Sequence, residues 1–439
     1  MPVGQAMRIK KYTLFMTKGQ IFLSKASWTK TLLFPAAMWF ASRLLMWIAM
    51  LLIAPLLPAP PGVIAPTFGW GVFHAWDSEH YRIIATSGYE FVNDGKTHTL
   101  AFFPLFPLII RVLMNLSLPF EVAGTLVNNL AFFAAVYFLY FWVKEQYGEI
   151  VARWVTAVVA WCPLSLFAGV IYTEGLYLLL STAALRAFDK QEYGWTAFWG
   201  AMATATRPTG IALIGAFAIA AWKQRRPPIA YLTSFAAAAG LVFFSIYCTI
   251  QFGDPLAFIH AQQAWRPTLG FDWQGWWKMI MQVTIGTFNW KHGGIKDPLH
   301  PLLFMMIIGS GYCLWHFRKS LGSQKVDYGF AALFLLLWIL AGDPLINTVA
   351  VFGSAYLLWK LRTQFTPVTV IYGFCGIGLL LASGSTISLS RLVYGIVSPS
   401  VALGMLLSRY PRWGYLTLLF FTILLASFAV RFAQELWAG

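Results

Sequence analysis

Nine consecutive residues, His74-Ala75-Trp76-Asp77-Ser78-Glu79-His80-Tyr81-Arg82, hold two carboxylates, two imidazoles, an indole and a guanidinium. Carboxylates two residues apart with flanking His and Trp suit general acid–base work or metal binding. If the run is helical, Asp77 and Tyr81 share a face and Glu79 points elsewhere, so a single carboxylate faces any cavity. The competing account is an amphipathic interfacial helix with Trp76 and Tyr81 at headgroup level. Glu174, in Tyr172-Thr173-Glu174-Gly175, and Arg207, in Arg207-Pro208-Thr209-Gly210, sit at the tips of apolar stretches. Charges there are costly and are functional or paired, and an ion pair between these two is the structural alternative. Arg43 lies inside an apolar run and must meet an acid or a phosphate, while Arg391 stands in Ser388–Tyr394. Guanidinium groups beside an apolar funnel are what a lipid-linked phosphate requires. Further on, Gln263 and Trp265 offer an amide for hydroxyls and a ring face for a sugar; an aromatic belt accounts for Trp265 equally well.

The elements that must position these groups are membrane helices. Of 439 residues, 59% are hydrophobic and 11% charged, and the mean hydropathy is +0.66. A soluble protein carries about 25% charged residues, so a soluble globular fold is excluded. Runs such as Ala331–Ala341 are apolar on every side, which excludes an outer-membrane barrel with its alternating strands. The net charge of +15 marks cytoplasmic loops by the positive-inside rule, not a nucleic-acid partner. Four cysteines lie in apolar runs without CxxC or metal-ligand spacing, so neither a disulfide framework nor a metal site is expected. The basic stretch 1–30 is expected to be cytoplasmic, and the first apolar run, Thr31–Ala54, is long enough to span, so no cleavable leader is expected.

Alternating sides from there gives a single all-α, polytopic membrane domain over 1–439 with roughly 11–13 crossings. Two large segments, 55–120 and 251–300, fall outside, and the basic clusters fall on the other side. Three predicted crossings, 175–188, 195–206 and 210–222, are shorter than the roughly 20 residues a bilayer requires. Their polar turns must then lie at membrane depth, where irregular backbone survives only inside protein or beside water, so a funnel open to the outside is expected.

In order along the chain, Ser42-Arg43, Trp76-Asp77, Ala85 to Gly88-Tyr89, Phe102-Phe103-Pro104-Leu105-Phe106-Pro107, Tyr172-Thr173-Glu174-Gly175-Leu176, Arg207-Pro208-Thr209-Gly210 and Gly253-Asp254-Pro255-Leu256-Ala257-Phe258 with Gln263 and Trp265 resemble the GPI mannosyltransferase II (PIG-V-like) family. The resemblance covers roughly residues 35–270. It implies a GT-C-type membrane glycosyltransferase fold, a polyprenyl-phosphate sugar as donor (dolichyl-phosphate mannose in eukaryotes) and work on the non-cytoplasmic face. It also implies Asp77 as catalytic base. Ser78 departs from the Gly usual after Trp-Asp, and Arg207-Pro208-Thr209-Gly210 from an Arg-Ser-Asn-Gly-like turn, which points to a prokaryotic-type relative with an acceptor other than GPI. The membrane would be the plasma membrane in a prokaryote and the endoplasmic reticulum in a eukaryote.

The expectation is an inverting hexosyltransferase, with mannose the first candidate sugar and a hydroxyl-bearing lipid, glycan or protein as acceptor. Asp77 would be the base, with Glu174 and Glu79 the other candidate acids. Arg207, Arg391 and Arg43 would be phosphate ligands, and Trp76, His80, Tyr172, Gln263 and Trp265 substrate contacts. The donor is a co-substrate, no cofactor is expected and a metal is not obligatory. A transporter or lipid flippase with an intramembrane charged site is the rival, and a non-catalytic scaffold the third class. Convergence of Asp77, Glu174, Arg207 and Arg391 on one cavity discriminates them.

Overall fold

The computed structural model describes residues 25–59, 63, 65–266 and 270–437, with side chains from Leu32 onward. Most of the basic N-terminal stretch 1–30 therefore lies outside the described residues. What is described is helical, without a β-ladder beyond one isolated bridge between Gly270 and Ser383.

Five helical stretches among the described residues are long and apolar enough to cross a membrane: Leu32–Leu56, Phe120–Tyr147, Pro228–Phe252, Ser323–Ala341 and Pro411–Ala433. The chain is a multi-pass membrane protein. The remaining predicted crossings are shorter helices, among them Glu174–Asp189, Tyr193–Thr204, Ile211–Lys223 and Pro367–Leu381. Both segments placed outside contain helices of their own, notably Asp77–Thr86 and Leu105–Asn115 in the first and Trp273–Thr284 in the second.

Two expected crossings differ in detail. The run 150–171 is not one helix: Glu149–Trp161 stops at Cys162 because Pro163 follows, and a 3-10 turn, Pro163–Ala168, leads to the Thr173-Glu174 corner. Likewise Pro228–Phe252 breaks between Ala236 and Ala239. Irregular backbone at this depth has to be enclosed in protein, and every residue from Pro163 to Leu178 is buried.

The enclosure comes from Phe120–Tyr147. Its Asn128 donates to the carbonyls of Phe167 (2.8 Å) and Val170 (2.7 Å) and accepts from the Gly175 amide (2.8 Å). Asn129 donates to the Gly169 carbonyl at 2.8 Å. These amides replace the bonds that a continuous helix would have made with itself. Gly175 allows the approach, since a Cβ there would stand 2.5 Å from the Asn128 carbonyl oxygen.

The Glu174–Asp189 helix also fixes polarity. It begins at Glu174 and ends near a basic cluster in which Arg186 and Lys190 pair with Glu145 (2.7 and 3.2 Å) and Arg226 donates to the Phe188 carbonyl. At 1.5 Å per residue, about 24 Å separates those two ends. Leu299–His316 buries none of its side chains and packs on Ser323–Ala341 as an exposed, largely apolar hairpin.

Candidate active site

One strained turn and a set of hydrogen bonds place the charged groups. Trp76 adopts φ +56°, a left-handed conformation costly for a non-glycine residue, and turns the chain sharply into the Asp77–Thr86 helix. Ser78, fully buried, donates to the Ile171 carbonyl at 3.0 Å. The Ile171 amide donates to the Phe73 carbonyl (3.2 Å), and the Asp77 amide donates to the Tyr172 hydroxyl (3.3 Å). The start of the Asp77 helix is thereby stitched to the corner that carries Glu174. Ser390, one residue before Arg391, has its amide held by Asn347 Oδ1 at 2.8 Å.

The result is a cavity of about 380 Å³ lined by Asp77, Glu174, Arg207 and Arg391 together with Tyr172 and Trp265. Arg391 Nη1 donates to Asp77 Oδ2 at 2.8 Å, and its Nε lies 3.7 Å from Glu174 Oε1. Arg207 Nη1 lies 2.7 Å from that same Glu174 oxygen. Glu174 Oε2 is buried without a hydrogen-bond partner among the described residues. The Arg391 guanidinium also lies over the neighbouring rings of Phe167 (5.3 Å) and Tyr172 (5.1 Å), which hold it by cation–π contact. The two carboxylates differ in access: the Asp77 side chain is 23% exposed and that of Glu174 only 2%. Asp77 is thus open to the cavity, whereas Glu174 is enclosed beside the two guanidiniums.

The other expected site residues are placed elsewhere. Arg43 is a correction: wholly buried, it donates to the Ser165 carbonyl and hydroxyl (both 2.7 Å) and lies over the Phe132 ring. It meets neither acid nor cavity; the broken segment after Pro163 supplies its partners instead. Glu79 faces away, paired with Arg82 (2.5 Å) and His74 (3.3 Å), and the Arg82 bond holds its carboxyl below the usual range. Trp76 projects outward against Trp437, and His80 stacks on Phe102 and meets the Trp265 ring edge-on; neither lines the cavity. Gln263 is exposed, and its neighbour Gln262 lines the wall instead. Among the described residues no group of three His, Cys, Asp or Glu side chains could hold a metal ion.

Three residues were not singled out from the sequence. Asn128 and Asn129 carried a signal, as paired amides within an apolar span. Arg266 carried none, looking like any loop cation, yet it lines the cavity.

Comparison with known proteins agrees with this picture at the level of sequence. GPI alpha-1,6-mannosyltransferase 2 of Homo sapiens is 29% identical over 156 residues, 33% of this chain. The match covers 30% of that relative's length, so the chain corresponds to under a third of it. Among solved structures, ArnT from Cupriavidus metallidurans bound to undecaprenyl phosphate superposes with a TM-score of 0.49 at 12% identity, over 90% of this chain and 62% of that one. The apo Archaeoglobus fulgidus oligosaccharyltransferase gives 0.47 at 10% identity, over 92% and 56%. The model of the mannosyltransferase (PIG-V) family matches residues 23–263, the part that supplies Asp77, Glu174 and Arg207. With more than half of its length matched, the chain belongs to the mannosyltransferase (PIG-V) family.

Proposed function

We propose that the chain is an inverting membrane glycosyltransferase of the GT-C type that moves a sugar, mannose first, from a polyprenyl-phosphate donor to a hydroxyl group. The single observation that carries this is the convergence of Asp77, Glu174, Arg207 and Arg391 on one cavity. Family membership and the human relative's name favour mannose. The acceptor hydroxyl, on a lipid, glycan or protein, enters beside the Asp77 oxygen that Arg391 does not hold. Its oxygen attacks the anomeric carbon from the face opposite the phosphate. The hydroxyl proton passes to Asp77 as the new C–O bond forms, and the old anomeric C–O bond breaks with its electron pair on the phosphate oxygen. Guanidinium charge in the cavity stabilises that phosphate as it leaves. Glu174 is a positioning residue that holds Arg207 and faces Arg391. The cavity lies at the end of the Glu174–Asp189 helix opposite the basic cluster, which the positive-inside rule assigns to the cytoplasm, so transfer occurs on the other face.

The test is donor choice and product geometry. Purified protein in liposomes should transfer label from polyprenyl-phosphate mannose and not from a nucleotide sugar, with inverted anomeric configuration by NMR. Use of the nucleotide sugar, or retained configuration, would refute the proposal.

A further inference from the structure

The cavity contains more positive charge than its acids answer. Arg207 and Arg391 each face a carboxylate, at 2.7 and 2.8 Å. An anion arriving at either must compete with a neighbour already in place. Arg266 also lines the cavity, and among the described residues no carboxylate stands within ion-pair distance of it. Three guanidiniums against two carboxylates leave the lining one positive charge in excess, and the excess is at Arg266.

Its position is built. Gln262 donates to the Ala101 carbonyl at 2.7 Å, docking the Ala257–Gln262 helix on the first external segment. The Arg266 amide bonds the carbonyls of Gln262 (3.0 Å) and Gln263 (3.2 Å), which carries the helical turn on to the cavity rim. Burial, and then the like charges of Arg207 and Arg391, press the Arg266 pKa below the usual arginine range. An incoming anion would relieve that repulsion, and a planar fork suits the oxygens of a phosphate. The adjoining wall is apolar, with Ile211, Ile259, Leu379 and Leu380, and suits a hydrocarbon chain.

Resting on the glycosyl-transfer reading above, we propose that Arg266 is the residue that takes the phosphate of the lipid-linked donor. Arg207 and Arg391 chiefly hold the two acids in place. Binding of a polyprenyl phosphate and of the corresponding polyprenol to the detergent-purified protein tests this. Wild type should prefer the phosphate. Arg266→Gln should lose about tenfold or more in affinity for the phosphate, with polyprenol binding unchanged. Arg266→Lys should fall between, since it keeps the charge and loses the fork. If Arg266→Gln does not fold, a loss confined to the phosphate in Arg266→Lys supports the assignment. Wild-type phosphate affinity in the variants overturns it, as does equal loss of phosphate and polyprenol, which marks a structural role. A parallel loss of phosphatidylglycerol binding would make Arg266 a general phospholipid contact and also overturn it. If wild type itself does not tell phosphate from alcohol, the donor reading fails first.

Discussion

Replacing Glu174 with Gln removes the one anion shared by two guanidiniums. The side chains of Glu174 and Arg207 are 2% and 10% exposed, so solvent screens their pair little. Breaking a buried pair by deleting one partner costs about 3–5 kcal/mol, because the other charge is stranded. Glu174→Gln should lie in that range, stranding Arg207 and weakening the field on Arg391 at 3.7 Å. Arg207→Met should fall toward its lower end, since Arg391 still faces the Glu174 carboxylate. The double variant strands neither charge of the pair. It should be no less stable than the worse single, which implies a coupling of about 3 kcal/mol. Denaturant unfolding of all four proteins in one detergent measures the cycle. Losses that add within about 0.5 kcal/mol would mean the pair is not a unit, and the positioning role of Glu174 would go with it.

Asn128→Leu leaves two carbonyls and one amide without their partner, so a stability loss of about 3 kcal/mol is expected in the same unfolding assay. His80 is kept by burial below its ordinary value of 6.5, against the pull of Asp77 and Glu79. A depressed His contributes stability that is present above the unfolded value and lost as the pH falls. Thermal melts from about pH 8 to about pH 5 should therefore show an acid loss in wild type that His80→Phe lacks; parallel curves would contradict this. For sidedness, Ser78 is fully buried and a poor labelling position, whereas Lys96 and Lys223 are exposed. Lys96→Cys should react with an impermeant thiol reagent from outside and Lys223→Cys only after permeabilisation, above any background from Cys313; the reverse pattern would invert the topology.

Much of the site was legible because charge is rare in this chain. Glu174 and Arg207 stood out at the tips of apolar stretches, Arg391 by its place in the last third of the chain and Asp77 within the richest polar run, and these four converge, with Arg266 beside them. What was not legible depends on side-chain direction and on distant partners. Arg43 shares the same signal, an arginine in an apolar run, yet it bonds the carbonyl and hydroxyl of Ser165, 122 residues away. Ser78 read as a departure from the family pattern; in the fold it is the buried stitch to Ile171. Glu79 and His80 share the Asp77 helix, and rotation about its axis alone turns them from the cavity. The short helices at 175–188, 195–206 and 210–222 were legible, and the fold has Glu174–Asp189, Tyr193–Thr204 and Ile211–Lys223 in their places. The break at Cys162-Pro163 needed more weight on a single proline within a hydrophobic run.

Asp77 is the group on which the account turns. Sugar transfer from polyprenyl-phosphate mannose to a defined hydroxyl acceptor should be measured for wild type, Asp77→Asn and Glu79→Gln, each with melting temperature and donor binding recorded alongside. Asp77→Asn keeps shape and the bond from Arg391 but cannot accept a proton, so turnover should fall about 10²–10⁴-fold with donor binding intact. Glu79→Gln, which changes an exposed pair outside the cavity, should stay near wild type. Near-normal turnover in a folded Asp77→Asn, or a larger loss at Glu79, would contradict the assignment of the base.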